Sequence, residues 1–300
     1  SLHDALPICN FIHHHNLYGH PDNIQMYRDL SELTFESNFI LSAGQSVMMQ
    51  EAKDLVFRNN VVVGSSANMM IAGHGSTNNV RWERNTFALW ASSLFSLTGQ
   101  NYHIHRNIMV NNGGRIFYGI PGEGEFAADH NLWHVAPGVG GRLGGIRDPQ
   151  ANRNIWFSDL DTVRKHRNQE THSVMADPRF ANAPLYGTTL SNKRIGDCTR
   201  SRLYLTQYTG LFKVGDVVEV NFDGVARKVT ASAGGAITIA PALDAAPDRV
   251  MFVANWKDSE DLTLDYSSPH QAEHGSTIDT RAFSQGDFDG DGERDVPPYR

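Results

Sequence analysis

LVFRNNVV, Leu55 to Val62, decides the fold because it recurs. The pattern is apolar, any, apolar, any, any, Asn, then a mostly apolar pair. It returns as LTFESNFI (Leu33 to Ile40), VRWERNTF (Val80 to Phe87), YHIHRNIM (Tyr102 to Met109) and FAADHNLW (Phe126 to Trp133). Asn10-Phe11-Ile12 has the form of the tail of an earlier copy. The asparagines Asn38, Asn60, Asn85, Asn107 and Asn131 are 22, 25, 22 and 24 residues apart.

Each copy alternates with period two, so each is a strand with one buried face. Asparagine bonds neighbouring backbone and tolerates the left-handed conformation, which suits a tight bend. A further strand precedes each copy: DNIQMY, QSVMMQ, NMMIAG, SLFSLT and GRIFYG. Two or three short strands per turn build a coil of stacked rungs, with the inward asparagines in a ladder of amides. A leucine-rich horseshoe would need a dense leucine pattern that this chain lacks.

The repeat resembles the right-handed parallel β-helix superfamily, which contains pectate-lyase-like polysaccharide lyases, alginate epimerases, some glycoside hydrolases and phage tailspikes. The resemblance covers roughly residues 10–182. THSVMADPRF, within Trp156 to Pro184, resembles the closing element of bacterial members, and Asp159 to Arg167 is expected to form a short helix. DLTLDYSSPHQAEHG, Asp261 to Gly275, resembles the continuation of that element, displaced by about 75 residues. The piece between contains SRLYLTQ, VGDVVEVNFDG, VARKVTASAGG and AITIAPAL, strands separated by Gly-Asp, Asp-Gly and Gly-Gly turns.

The expected fold class is therefore all-β: a right-handed parallel β-helix over 9–188, an inserted small antiparallel β-barrel over 189–256, and a return to the β-helix with an Asp-rich end over 257–300. Excising the barrel is expected to leave a folded β-helix. SLHDALPI, Ser1 to Ile8, resembles a translated sequencing adapter and is set aside, so that the natural chain is expected to start upstream.

Composition narrows the partners. The formal charge is −7 and no basic tract is present, so nucleic acid is not an expected partner. No apolar run approaches the ~18 residues of a membrane span. Two cysteines, Cys9 and Cys198, do not make a disulfide framework. The resemblance implies a polysaccharide partner and a secreted, periplasmic or cell-surface location.

Aligning the strands that precede the copies stacks inward Ile24, Val47, Met70, Phe95 and Ile116. The outward row is Gln25, Met48, Ile71, Ser96 and Phe117. Exposed Met48, Ile71 and Phe117 would mark a docking surface for the barrel or another subunit. The first rung carries the longest connection, FIHHHNLYGHPD, and long loops on rigid scaffolds tend to carry function. HPDNIQMY, His20 to Tyr27, resembles the "H-x-D-x-I-Q" of early rungs in β-helix proteins. It suggests a sugar-facing cleft with His20, Asp22, Tyr27 and His74 as catalytic candidates. Gln25, Arg28 and Gln50 would bind substrate there. The other reading is that Asp22 caps a turn and Gln25 extends a polar ladder.

The copies themselves stack Thr34, Val56, Arg81, His103 and Ala127 outward, then Glu36, Arg58, Glu83, His105 and Asp129. Alternating Glu and Arg suits a solvated sheet face. His103 and His105 are further substrate-binding candidates, or a surface pair.

A uronate lyase or C5-epimerase needs a base, a group that neutralises the carboxylate and a proton donor. Histidine, arginine and tyrosine fit those roles. A glycoside hydrolase would need two carboxylates at a defined separation, and only Asp22 and, more distantly, Glu51 are candidates. The rival from another class is a non-catalytic glycan-binding surface or tailspike-like protein. DFDGDGERD places Asp287, Asp289, Asp291 and Asp295 as in the first nine positions of a calcium loop. Pro298 occupies the position of the last ligand, and the segment also resembles metal-free ends of β-helix proteins.

Overall fold

A computed structural model describes residues 10–15, 21–74, 77–111, 114–118, 126–139, 143–148 and 153–281. The chain is all-β, and its rungs form a parallel solenoid of three sheets. Sheet one stacks Asp22–Tyr27, Gln45–Gln50, Met70–His74, Ser93–Leu97 and Arg115–Phe117. Sheet two stacks Thr34–Glu36, Lys53–Arg58, Asn78–Glu83, Gln100–His105 and Phe126–Asp129. Sheet three runs through the residues after each asparagine, from Phe11–His15 through Phe39–Ala43, Val61–Ser65, Thr86–Trp90, Ile108–Asn111 and Leu132–Val135 to Val174–Met175.

Period-two alternation sends one residue of each pair inward, and the inward aromatics form a continuous stack. Phe35 and Phe57 lie 4.7 Å apart, Trp82 and Phe95 5.1 Å, Phe95 and Phe117 5.4 Å, and Phe117 and Trp133 5.7 Å. Such ring pairs add about 0.5–1.5 kcal/mol each beyond simple burial. The helix Leu160–Arg167, capped by Asp159, lays Leu160 and Val163 over the end of this core.

The asparagines stack as the spacing implies. Each Oδ1 from Asn38 to Asn131 accepts both the backbone N–H and the side-chain amide of the asparagine one rung earlier. The side-chain bonds run 3.1 Å from Asn10 to Asn38, 2.9 Å to Asn60, 2.9 Å to Asn85, 3.0 Å to Asn107 and 3.1 Å to Asn131. The backbone bonds are 2.9–3.0 Å. The left-handed bend, however, belongs to the residue before each asparagine. Ser37, Asn59, Arg84, Arg106 and His130 have φ of 54–57°.

One detail of register and one of burial differ from expectation. Phe95 pairs with Phe117, not Ile116, so Phe117 is an inward core residue. Met48 and Ile71 do share an outward row with Gln25 and Ser96, but both are buried. Neither they nor Phe117 mark the docking surface.

That surface is the outer face of sheet three, where both residues of each apolar pair are buried. Six strands, Tyr186–Thr189, Arg202–Tyr204, Val217–Val220, Arg227–Ala233, Ala236–Ala240 and Phe252–Lys257, form an antiparallel sheet. Its two edges meet through a Leu190–Leu205 bridge, with Ser191 N–H donating to Tyr204 O at 2.7 Å and Thr206 N–H to Thr189 O at 2.9 Å. The sheet thereby closes on its own core of Leu203, Phe212, Val218, Val229, Ile237 and Val253.

Its opposite side presents Phe222, Phe252, Ala254 and Trp256 to Phe39, Leu41, Val61, Val63 and Leu89 of sheet three. Close approach here requires glycine. A Cβ on Gly187 would sit 2.4 Å from the Phe252 ring and 2.9 Å from Leu89. One on Gly64, at φ +75°, would meet Phe222 at 2.7 Å. The hairpin tip adds a bond from Ser42 Oγ to Asn221 Oδ1 at 3.0 Å. The two halves share a desolvated seam, so excising the insertion would strip an apolar wall rather than release an appendage.

After Lys257 the chain returns to the solenoid, where Leu264 and Tyr266 join the seam. The turns around 270–277 then run along the bend ladder: Gly275 N–H donates to Arg106 O at 2.7 Å and Ser276 Oγ–H to Asn59 O at 2.9 Å. The Asp287, Asp289, Asp291 and Asp295 segment, where a calcium loop is expected, lies outside the described residues, as does Ser1 to Cys9. No described helix is long and apolar enough to cross a membrane.

Candidate functional site

The cleft expected on sheet one is brought together in part. Tyr27 pairs with Gln50, and a bulge after Met49 sets Gln50 opposite His74 rather than Gly73. The three therefore share one row on successive rungs, about 4.8 Å apart. Tyr27 is exposed, with the Arg28 guanidinium 4.9 Å above its ring and 3.8 Å from Glu51. Gln25 is exposed on the neighbouring outward row, its amide 3.8 Å from Met48 Sδ. Asp22 begins the strand and is partly buried. His20 lies outside the described residues, and of His74 only the backbone belongs to them.

A second constellation stands at the corner between sheets two and three. Parallel pairing places Glu36, Arg58, Glu83, His105 and Asp129 in one outward row. His103 lies in the neighbouring row after Arg81. Arg58 meets Glu36 at 2.7 Å, in keeping with the alternating Glu and Arg of a solvated face. The His103 and His105 rings are stacked at 6.2 Å. Each outward residue of the first row is followed by the left-handed one, which turns its side chain out at the bend. Arg84, Arg106 and His130 thus stand beside Glu83, His105 and Asp129, and these six line an open cleft of about 520 Å³. The C-terminal turns flank it: Arg84 Nη1 donates to Ala272 O at 3.4 Å, and His274 Nδ1 donates to His130 O at 2.7 Å.

Asp129 organises the cleft. Its Oδ1 accepts the backbone N–H of His172 at 2.7 Å and of His130 at 2.9 Å. Its Oδ2 lies 2.7 Å from His172 Nδ1 and accepts the Thr171 hydroxyl at 3.2 Å. Burial disfavours the carboxylate, but the bonds from the His172 ring and the two backbone N–H groups outweigh it and hold the carboxyl at about 2. An ionised carboxylate only accepts, so His172 Nδ1 carries a proton, and in the neutral ring the free lone pair is on Nε2. The His172 side chain is two-thirds exposed, so that nitrogen is accessible. Burial, then the charge of Arg81, lowers the His103 pKa; burial, then His103, lowers that of His105.

Asp129, His130 and His172 also bring three ligand atoms within 4.8 Å of one another. Imidazole lone pairs lie in the ring plane, whereas the His130 and His172 rings are stacked 4.7 Å apart at 20°. Near-parallel rings do not aim at one ion, so the cluster reads as a hydrogen-bonded acid–base set.

No protein-family model matches the chain, and no curated protein or solved structure is significantly similar to it. The chemistry therefore has to be argued from the two constellations themselves. His105 and Asp129 stood in the sequence's own outward row. His172 did not, because it reaches the site from the closing segment, 43 residues past Asp129. The available signal was the polar run Thr171-His172-Ser173 at the start of that element.

Proposed function

We propose that this chain acts on polysaccharide, as a lyase or C5-epimerase of a uronic-acid polymer, and that the corner cleft is its site. The observation that carries the reading is the 2.7 Å Asp129–His172 pair, whose Asp129 lines the cleft together with Arg84 and Arg106 and whose His172 ring stacks on cleft-lining His130. His172 Nε2 is the base that takes the proton next to the uronate carboxylate. Arg84 and Arg106 offset the charge that accumulates on that carboxylate. In elimination the released electron pair forms the double bond, the bond to the glycosidic oxygen breaks, and His130, whose Nδ1 lies 3.5 Å from Asp129 Oδ2, supplies that oxygen's proton. In epimerisation His172 keeps the proton it takes and a second group, on the opposite face of the sugar, gives C5 another. Gln25, Tyr27, Arg28, Gln50 and His74 would then extend the sugar-binding surface on sheet one. Such a substrate goes with a secreted, periplasmic or cell-surface location.

A hydrolase needs a carboxylic acid held protonated near neutrality. Of the two carboxylates that line the cleft, Glu83 and Asp129, Asp129 is held ionised at about 2, and the carboxyls pushed up to about 7 have no access to substrate: Glu170 is fully buried beneath Asn131 and Glu219 is buried in the seam. The test is incubation with polygalacturonate, alginate and neutral glycans, read by absorbance of the unsaturated product, by reducing ends and by proton exchange at C5. Product from an acidic polymer, lost in H172A, supports the reading. Binding without turnover on every polymer would replace it with a non-catalytic glycan-binding protein.

A further inference from the structure

The inserted barrel carries a charge feature that the corner cleft does not use. Within a chain of formal charge −7, the stretch Ser191 to Arg202 holds Lys193, Arg194, Arg200 and Arg202 against Asp197 alone. It folds as the 3₁₀ turns Asn192–Asp197 and the strand Arg202–Tyr204, at the edge where the barrel closes. This edge is distinct from the face that packs on sheet three.

Two of the guanidiniums are held in place. Arg194 lies 3.6 Å and Arg202 5.2 Å from the centre of the Tyr204 ring, which puts them within about 9 Å of each other. Arg194 also meets Asp197 at 2.9 Å, and Arg200 donates Nε–H to Leu243 O at 2.6 Å. Among the described residues, neither Lys193, Arg200 nor Arg202 has an ion-pair partner. A guanidinium over a ring face still presents its in-plane N–H groups, and that planar fork matches a carboxylate or sulfate; Arg202 has no ion pair to compete with such a ligand, whereas Arg194 gives its Nε–H to Asp197. Because stacking already restricts the side chains, less freedom is lost on binding.

We infer that this barrel edge, built on Arg194, Arg202 and Tyr204 with Lys193 beside them, is a second binding surface that captures an acidic polysaccharide through its repeated anionic groups. The choice of polymer rests on the proposed substrate. Single-stranded nucleic acid fits less well, because it needs aromatic faces open to its bases. Tyr204 is buried beneath the arginines. Two weak charged contacts on one polymer reinforce each other, and the surface would hold substrate while the cleft works along it.

The experiment compares the full chain with R194A/R202A, and with R202A alone in case the double variant melts early. Retardation in gels containing polygalacturonate, heparin, dextran or single-stranded DNA gives the affinities. Each is repeated in an H172A background so that binding is read without turnover. The expected result is about tenfold weaker polygalacturonate binding in the double variant, a smaller loss in R202A, little retention by dextran, weakening with salt, and unchanged turnover of short oligogalacturonides by the His172 enzyme. Unchanged retention in both variants would overturn the inference, as would retention by dextran or tighter binding of DNA than of either glycan polyanion. If polygalacturonate is not turned over but is still held through the arginines, the barrel edge stands while the proposed reaction falls.

Discussion

Asn131 donates its side-chain amide to both oxygens of Glu170, at 3.2 and 3.1 Å, and thereby ends the asparagine ladder on a fully buried carboxyl. Ser173 completes the cap: its hydroxyl accepts Asn131 N–H at 2.7 Å and donates to Glu170 Oε2. Burial pushes the Glu170 carboxyl up to about 7 against the lowering effect of these bonds.

A raised carboxyl pKa means that the folded state holds the proton more tightly than the unfolded chain, so stability falls as pH rises from about 4.3 to about 7. The change is on the order of 3 kcal/mol for this group. Glu219 in the seam, also at about 7, adds a slope of the same sign. The E170Q variant should therefore lose less stability than the native chain between pH 5 and pH 8, leaving the Glu219 contribution. Urea unfolding at both pH values measures the difference; parallel losses in the two proteins would show that Glu170 does not titrate in this window.

Substitution N85L removes the middle of the ladder. Asn85 accepts from Asn60 backbone and side chain, and donates to Phe57 O and Asn107 Oδ1. At about 1–3 kcal/mol for each buried group left without a partner, the variant should lose 3 kcal/mol or more, roughly. A urea midpoint close to that of the native chain would contradict the role given to the ladder.

At the seam, G187A places a methyl against Phe252 and Leu89 and should cost about 1–3 kcal/mol through overpacking. Replacing the insertion with a short linker should give a protein that binds hydrophobic dye and aggregates, because Phe39, Leu41, Val61, Val63 and Leu89 lose their cover. A monomeric, cooperatively melting deletion would mean that sheet three tolerates exposure.

In the corner cleft, H172A should lower turnover by about 10²–10⁴-fold with little change in melting temperature, since general-base catalysis contributes that much. D129N should also lose turnover, because the amide no longer fixes the His172 tautomer. Its acid stability should differ too. The depressed pKa of Asp129 contributes stability above the unfolded value near 3.9, lost as pH falls through about 2, and the variant should lack that slope. Thermal melts at pH 2–5 beside initial rates at pH 7 separate the two effects.

The solenoid was legible because a strand repeat has only two variables, period and phase, and five asparagines determine both. The register slipped at the last rung, where Gly113-Gly114 precedes Arg115–Phe117 and too few apolar residues remain to mark the phase. The seam was legible in principle. Pairs such as Phe39-Ile40 and Val61-Val62 are apolar on both faces, which requires a cover on the outside as well as a core within. The outward row that ends in His105 and Asp129 followed from the repeat alone. His172 did not, since periodicity cannot say which later segment folds back over a rung. Arg84 and Arg106 are not legible as site residues, because a position before the asparagine reads as part of the strand, whereas the left-handed bend turns them into the corner.

The one-way orientation of the amides has a consequence for how such a chain changes in length. Every turn offers the same donors to the next and the same acceptor to the last, so a duplicated or deleted turn leaves both joints chemically unaltered. Growth is thus quantised: a whole unit of 22 or 25 residues slips in silently, whereas a fraction of one has to bulge out at a corner. Adding a unit between Asn60 and Asn85 would carry the histidine corner one step of about 4.8 Å away from the sheet-one residues Tyr27 and Gln50. The reach of the protein along an extended polymer would then lengthen in discrete notches, while each binding surface kept its own geometry.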